Sequence, residues 1–506
     1  MDLTHKDLVA TFLECACWDH HVHGKGDHRM YDCAAQRHLA QHPEIAGDSL
    51  YTAVVCGDLA EVQRILVERP EAANEPGGAR GWPPLLYLCY TRFSHLQTIN
   101  NSIAIGRLLL NSGADPNASY LAGDAVYSAL VGVAGEGEQD SPRQPQGKAL
   151  FQLLLERGAN PFDIQVLYNT HFSGDVLWWL ELIYAHSKKS GRMAEWAEPN
   201  WTMLDMGGYG SGAQFLLGLA VKKNNLVLAE WCLSRGARPF PQPPPYLPKH
   251  AKAKSTDLDV LHREAVGVGF TEMGDLLARY GAAPRILELE GEEAFAAACF
   301  RLDRNEAVAQ LEQHQEYLQS PTVIFAAARR DRAEVVELLL DLGVPIDIED
   351  ANRTRTLHQA AVNNSMRVAK LLIERGAEID PIETCYNSSP IGWAAHSDHK
   401  EMIEFLSQFS RDIWRLAFRG YPDRLREVLR TEPELAESVT EDGITPLWWL
   451  PDDEKNPLDE TKALTIVEIF LAHGADPTLK NKSGRTAADW ARKRGMRQVA
   501  QLLDDR

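Results

Sequence analysis

The sequence predicts an all-α solenoid, a stack of helix-turn-helix pairs with short hairpin fingers and several insertions. Three observations carry this expectation. The phrase Gly-Ala-x, trailed by Pro or Asp, returns at Gly113, Gly158, Gly236, Gly281, Gly376 and Gly474. Leu-rich helical text precedes several copies, as in Arg107-Leu108-Leu109-Leu110 and Lys370-Leu371-Leu372-Ile373. A glycine just past such a helix end is a left-handed cap. Gly343 and Gly376 also stand one repeat period apart, about 33 residues. One cap recurring behind one helix type at one period means one structural unit copied along the chain.

Taken in order, residues 1–48 read as a capping helix pair with a His-rich insert. Cys15 to Trp18 should end the first helix, and Cys33 to Leu39 should start the second. Residues 49–240 read as repeats, with 164–209 degenerate and keeping only helical periodicity. Residues 241–256 form a Pro-rich and basic insertion, within the run Pro239 to Pro248 followed by Lys249, Lys252 and Lys254. Prolines at that density favour polyproline II and forbid helix, so a long finger loop or a bend is preferred over a peptide ligand motif. Residues 257–506 read as further repeats and a cap. There the pair of segments Ile324–Asp331 and Ala333–Leu339 is echoed by Thr356–Ala361 and Arg367–Leu372. Insertions break the period at 91–100, at 135–147 and in the acidic loop Pro451 to Glu460.

Helix starts sharpen the assignment. Gly443-Ile444-Thr445-Pro446-Leu447 is intact, and Gly484-Arg485-Thr486-Ala487-Ala488-Asp489-Trp490-Ala491 is a variant. Partial forms are Gly81-Trp82-Pro83-Pro84-Leu85 and Ser389-Pro390-Ile391. Thr caps a helix start and Pro suits its first turn. These residues resemble ankyrin repeats over nearly the whole chain. The helix exits His42-Pro43-Glu44-Ile45-Ala46, Arg69-Pro70-Glu71-Ala72-Ala73 and Glu432-Pro433-Glu434-Leu435-Ala436 resemble those of bacterial ankyrin proteins. The resemblance implies a scaffold that recognises a protein through a concave face of inner helices and finger loops.

In the frame Thr-Pro-Leu-His-x-Ala, the x position is expected on that concave wall. It is Tyr87, Trp393, Trp449 and Trp490, although Ala326 and Gln359 interrupt the stripe. Large rigid aromatics are what a contact surface needs. With Trp82 they are the expected partner-binding residues, and Asp452, Asp453 and Glu454 are expected to steer a basic partner. The competing expectation is that the rings only shield seams between helices. A second group, Trp178, Trp179, Trp196 and Trp201, is expected in the core, because adjacent residues cannot share one helix face.

Composition excludes other classes. The chain has 506 residues, 44% hydrophobic, with a formal net charge of −19. Phosphate binding needs a basic surface, so nucleic acid is not an expected partner. Eight cysteines without a Cys-x-x-Cys point to a reducing cytoplasm. Met1 to Ala10 shows no signal peptide, and no run approaches the roughly 18 apolar residues of a membrane span.

Cys15, Cys17, His20, His21, His23, His28 and Cys33 are the candidate metal ligands, but their spacing matches no familiar zinc pattern. A solvated loop is the preferred reading, and no cofactor is expected. Gly207 to Gly212 lacks a following Gly-Lys-Ser/Thr and reads as a turn before a helix. No Gly-x-Ser-x-Gly or His-Glu-x-x-His is present, so an enzyme is not expected. The alternatives are an antidote that neutralises a basic toxin, and a metal-dependent sensor or enzyme built on residues 15–33. A monomer is favoured over self-association.

Overall fold

A computed structural model describes residues 4–20, 28–137, 141–171, 175–194, 212–237, 258–283 and 290–506. Among these, the N-terminal pair is α1 (His5–Ala16) and α2 (His28–Gln41). There follow α3 (Leu50–Cys56), α4 (Leu59–Glu68), α5 (Pro84–Tyr90) and α6 (Leu96–Asn111). A hairpin of β1 (Ser119–Ala122) and β2 (Ala125–Ser128) precedes α7 (Ala129–Ala134), α8 (Gly147–Glu156), α9 (Ile164–Thr170) and α10 (Leu177–Lys189). Next come α11 (Gly212–Lys222), α12 (Leu226–Ser234), α13 (Leu258–Gly267), α14 (Thr271–Arg279), α15 (Gly291–Phe300) and α16 (Arg304–Gln313). The C-terminal stretch holds α17 (Thr322–Ala328), α18 (Ala333–Leu342), α19 (Thr356–Val362), α20 (Met366–Glu374), α21 (Pro390–His396) and α22 (Lys400–Ser407). It ends with α23 (Ile413–Arg419), α24 (Pro422–Thr431), α25 (Thr461–Ala472), α26 (Ala487–Lys493) and α27 (Arg497–Asp504).

The pairs form for local reasons. Ser49 caps α3 and Thr486 caps α26, each in a reciprocal box with the third helical residue, Thr52 and Asp489. Pro84 and Pro390 sit in the first turn of α5 and α21, where no intrahelical N–H is missed. At the far end, Gly343 (φ 108°) and Gly376 (φ 86°) close α18 and α20 in the left-handed region, as the recurring phrase requires. The intact Thr445-Pro446-Leu447 motif is the exception. It heads only a 3-10 turn, Pro446–Trp448, and Thr445 makes no side-chain cap. Pro451 follows three residues later and cannot continue a helix. The second N-terminal helix also begins at His28, five residues before the expected start at Cys33, so His28 belongs to the helix.

Adjacent units are tied at their loops by amide and carboxylate rungs. Asn74 donates to the Gly113 carbonyl (2.7 Å) and accepts from the Asp115 N–H (2.9 Å). Asn117 repeats both contacts on Gly158 and Asn160. Asp347 accepts from the Glu378 N–H (3.1 Å), and Asp380 from the Arg411 N–H (2.6 Å). The one described hairpin pairs Ser119 with Ser128 through to Ala122 with Ala125, antiparallel.

The apolar layers gather into three cores. The first runs from Phe12 to Ala282, the second from Phe295 to Leu406, the third from Ile413 to Leu503. The first core extends through Leu258–Ala282, beyond the span 241–256 whose residues lie outside those described.

The stack also closes on itself. Arg37 on α2 donates to the Arg494 carbonyl (3.1 Å) and pairs with the Asp452 carboxylate. Arg494 reaches the same carboxylate at 2.5 Å and the Leu450 carbonyl at 3.0 Å. His38 bonds the Lys493 carbonyl (2.8 Å), and Gln41 donates to the Gly495 carbonyl (2.9 Å). Arg29, one end further along α2, pairs with Asp398 and lies 3.4 Å from Glu454. Gly495 (φ 71°) lets α2 approach: a Cβ there would stand 2.9 Å from the Arg37 Cβ.

Candidate partner-binding surface

The expected aromatic stripe divides into two populations. Tyr87 is wholly buried and Trp82 is 4% exposed, so both belong to the first core and not to a groove wall. The Tyr87 hydroxyl donates to the Gly77 carbonyl (2.9 Å) and accepts from the Arg80 N–H (2.8 Å). Its ring packs on Tyr51 at 5.4 Å and Trp82 at 5.6 Å. Burial pushes its acidity well above the usual phenol value.

The N-terminal segment adds a further layer at the end of the same helix. Trp18 N–H donates to the Tyr90 carbonyl (2.9 Å), and Arg92 N–H to the Ala16 carbonyl (2.8 Å), so residues 16–18 run along the end of α5. His20 N–H donates to the Tyr120 hydroxyl (3.1 Å), and its ring stacks on Tyr127 at 4.6 Å. A buried Arg80–Asp19 pair at 3.2 Å ties the segment down.

The C-terminal aromatics are different. Trp393, Trp449 and Trp490 are each half-buried. Trp393 meets His358 edge-on at 5.2 Å and Tyr386 at 6.2 Å. His358 is fully buried and accepts the Arg355 N–H at 3.1 Å. Burial holds its basicity below the ordinary value. Trp449 lies between Trp414 (5.9 Å) and Phe418 (5.8 Å), with the Arg415 guanidinium 5.0 Å from its ring centre. Trp490 stacks on Trp448 at 6.1 Å. The interrupting Gln359 accepts a 2.8 Å bond from Arg329.

Beside this ribbon stands a finger over residues 381–388. Glu383 is 1% exposed. Its carboxylate accepts the N–H groups of Cys385 (2.6 Å), Tyr386 (2.9 Å) and Ser388 (3.2 Å). Thr384 donates its N–H to the Asn352 carbonyl of the neighbouring finger at 2.9 Å. At the tip, Tyr386 is 78% exposed. Neither residue stands in the repeat frame, so periodicity passes over both. The available cue is an acid placed just before a run of turn residues, Asn387-Ser388-Ser389.

The acidic loop serves the chain itself. The Asp452 side chain is 7% exposed between Arg37 and Arg494. Asp453 pairs with Lys462 at 3.0 Å, and Glu454 lies between Arg29 and Lys400. With α2 in place, cations of the same chain hold these carboxylates, so they are not free to steer an external partner in this arrangement.

The described candidate metal ligands do not converge. Among the described residues, no three His, Cys, Asp or Glu side chains could hold one ion. Burial pushes Cys15 and Cys17 up to about 12 and Cys33 up as well, away from the thiolate a metal needs. Cys17 faces the Tyr87 carbonyl at 3.7 Å. His21 and His23 lie outside the described residues, as do the Gly207–Ser211 run, the Pro-rich segment and Trp196 and Trp201. Trp179 is 1% exposed and donates to Thr170 Oγ1 (3.0 Å), whereas Trp178 is half-buried under Arg143, 4.8 Å from its ring centre. No described helix is long and apolar enough to cross a membrane.

Comparison with known proteins agrees with the fold. Residues 301–383 and 323–417 match the family described as ankyrin repeats in three copies. The ankyrin repeat protein YahD of Escherichia coli K12 is 26% identical over 197 residues, which is 36% of this chain and 94% of YahD. The ankyrin repeat and KH domain-containing protein mask-1 of Caenorhabditis elegans is 28% identical over 189 residues, 35% of this chain and 7% of that protein. Mouse palmitoyltransferase ZDHHC13 is 34% identical over 83 residues, 16% of this chain and 13% of the enzyme. The likeness to the last two is confined to a small part of their lengths.

Proposed function

We propose that this ankyrin-repeat protein is a non-catalytic scaffold that grips a protein partner along the fingers and inner helices of its C-terminal repeats. One observation carries the reading. Tyr386 stands 78% exposed on a finger whose backbone is pinned by the buried Glu383 carboxylate. A large ring held out by a rigid loop gives contact area at little entropic cost. Trp393, Trp449 and Trp490 continue the surface inward, each with part of its indole uncovered. Trp82, Tyr87 and the acidic triad have no part in it.

The toxin-neutralising variant has no free carboxylate of the acidic loop to rest on while α2 is docked, because Asp452, Asp453 and Glu454 are then engaged within the chain. A metal-dependent sensor on residues 15–33 draws no support from the described ligands, no three of which could hold one ion. A cytoplasmic setting fits eight free cysteines, seven of them buried.

The test is site-specific photo-crosslinking in the source cell, with a photoreactive phenylalanine analogue at position 386 of the full chain. One dominant protein adduct is expected, and Trp393→Ala should diminish it. A smear of abundant proteins, unchanged by Trp393→Ala, would count against the reading.

A further inference from the structure

The contact between α2 and the C-terminal repeats has the composition of a reversible interface. The α2 residues that reach across are Arg29, Arg37, His38 and Gln41, all polar. Its apolar residues Ala34 and Ala35 belong to the first core, the buried Met30 and Cys33 fall in none of the three, and no α2 residue belongs to the second or third. Contacts within a chain that are polar rather than apolar allow the parts to separate. The fit is also incomplete. Arg37 Nε, Arg494 Nε and His38 Nδ1 are buried without a hydrogen-bond partner. Each such group carries a desolvation penalty that release into water would relieve.

The receiving surface is built in a regular way. Asp398 lies in the turn between α21 and α22, and Lys493 to Gly495 lead from α26 into α27. Asp452 and Glu454 occupy the corresponding connection between the Pro446–Trp448 turn and α25. Carboxylates and carbonyl ends of inner helices therefore line one edge of the stack. Both attract cations.

We propose that this edge is a receptor for a basic helix, held closed in cis by α2, and that a protein partner presenting such a helix must displace α2 to bind. The occupant seen here sets the partner's chemistry: two arginines eight positions apart, aimed at Asp398 and Asp452, with amide or imidazole donors for the helix-end carbonyls. The site uses none of the finger residues assigned above, so the two readings stand or fall separately.

The probe is a fluorescein-labelled peptide of residues 28–42 added to the full chain, read by anisotropy. The wild-type chain binds it weakly, because α2 holds the site. Arg37→Ala should tighten binding at least about tenfold, equivalent to about 1.4 kcal/mol, and Asp452→Asn in the same chain should abolish the gain. A peptide carrying Arg29→Glu and Arg37→Glu should not bind. Hydrogen exchange over 390–504 checks that the repeats stay folded. Arg29→Ala, which leaves the buried triad intact, provides a second route to a smaller gain. Tyr386→Ala should leave peptide binding unchanged. The proposal is overturned if neither arginine variant gains binding with the repeats protected, or if the gain survives Asp452→Asn. Equal affinity of wild type and variants for the peptide overturns it as well.

Discussion

Tyr87 and Trp393 occupy the same position of the same repeat frame, yet one is sealed in a core and the other lines an open face. Nothing in the two inner helices accounts for the difference. What separates them is the packing from outside the frame. Tyr87 is enclosed by Tyr51, Trp82 and the Gly77 and Arg80 backbone, while residues 16–20 lie over the end of α5 and the β1–β2 hairpin, where the His20 ring meets Tyr90. At α21 the outer neighbours of Trp393 are His358 and the finger residue Tyr386, and part of the indole stays uncovered. An aromatic residue in a repeat thus becomes core or contact according to what the rest of the chain lays upon it.

Substitutions can break this comparison, beginning with the largest effect. Tyr87→Ala should cost about 3–5 kcal/mol in chemical denaturation of the N-terminal repeats, the range for emptying a packed aromatic site. Tyr87→Phe should cost about 1–3 kcal/mol, through the unpaired Gly77 carbonyl and Arg80 N–H. If Tyr87→Ala proved as mild as Trp393→Ala, the division into buried and open aromatics would fail.

Glu383→Gln should loosen the finger at a cost of about 1–3 kcal/mol, since a buried carboxylate accepting several N–H bonds is replaced by an amide that accepts fewer. Amide exchange at Cys385, Tyr386 and Ser388 would report it.

Acid should weaken the closed edge. Burial holds His38 below its ordinary value of 6.5, with Arg37, His42 and Arg497 also disfavouring its cation and the Lys493 carbonyl favouring it. The unfolded chain therefore binds more protons as pH falls through 6.5 and below, and stability is lost in that direction. His358 adds a loss of the same sign. Melting temperature should drop between pH 7.5 and 5.5, and His38→Gln should flatten part of the slope. An unchanged slope would remove His38 from the account.

The smallest effect is the sharpest. Tyr386→Ala should shift stability by no more than about 0.5 kcal/mol, as for an exposed side chain, while reducing capture of the partner. A large stability loss would make Tyr386 a structural residue.

Much of the architecture was legible because its signals are local. A Gly that must adopt positive φ announces itself wherever a helix ends, and Gly343 and Gly376 do so one period apart. The rungs are legible in hindsight as Asn117, Asp347 and Asp380 at matching offsets behind their glycines. The candidate surface was half legible. Trp393, Trp449 and Trp490 follow from the frame, but the fate of Tyr87 depended on Tyr51, Gly77 and Arg80, which stand outside it. Arg37 and Asp452 are separated by 415 positions, and no periodicity links them. The best motif, at Thr445, misled for a simpler reason: a capping residue and a first-turn proline start a helix, but Pro451 ends it at once.

The rungs have a mechanical consequence. They stitch the edge where the Gly-Ala loops lie, and a second set, Asp331 with the Val368 N–H (3.0 Å) and His399 with the Val362 carbonyl (3.0 Å), stitches the edge where inner helices turn into outer ones and α2 docks. If the clasp by α2 were released, neighbouring repeats would stay bound along both rims, so the stack would hold its shape. The pitch between neighbouring fingers would then be the same with α2 docked or displaced, and a partner seated on them would keep its grip.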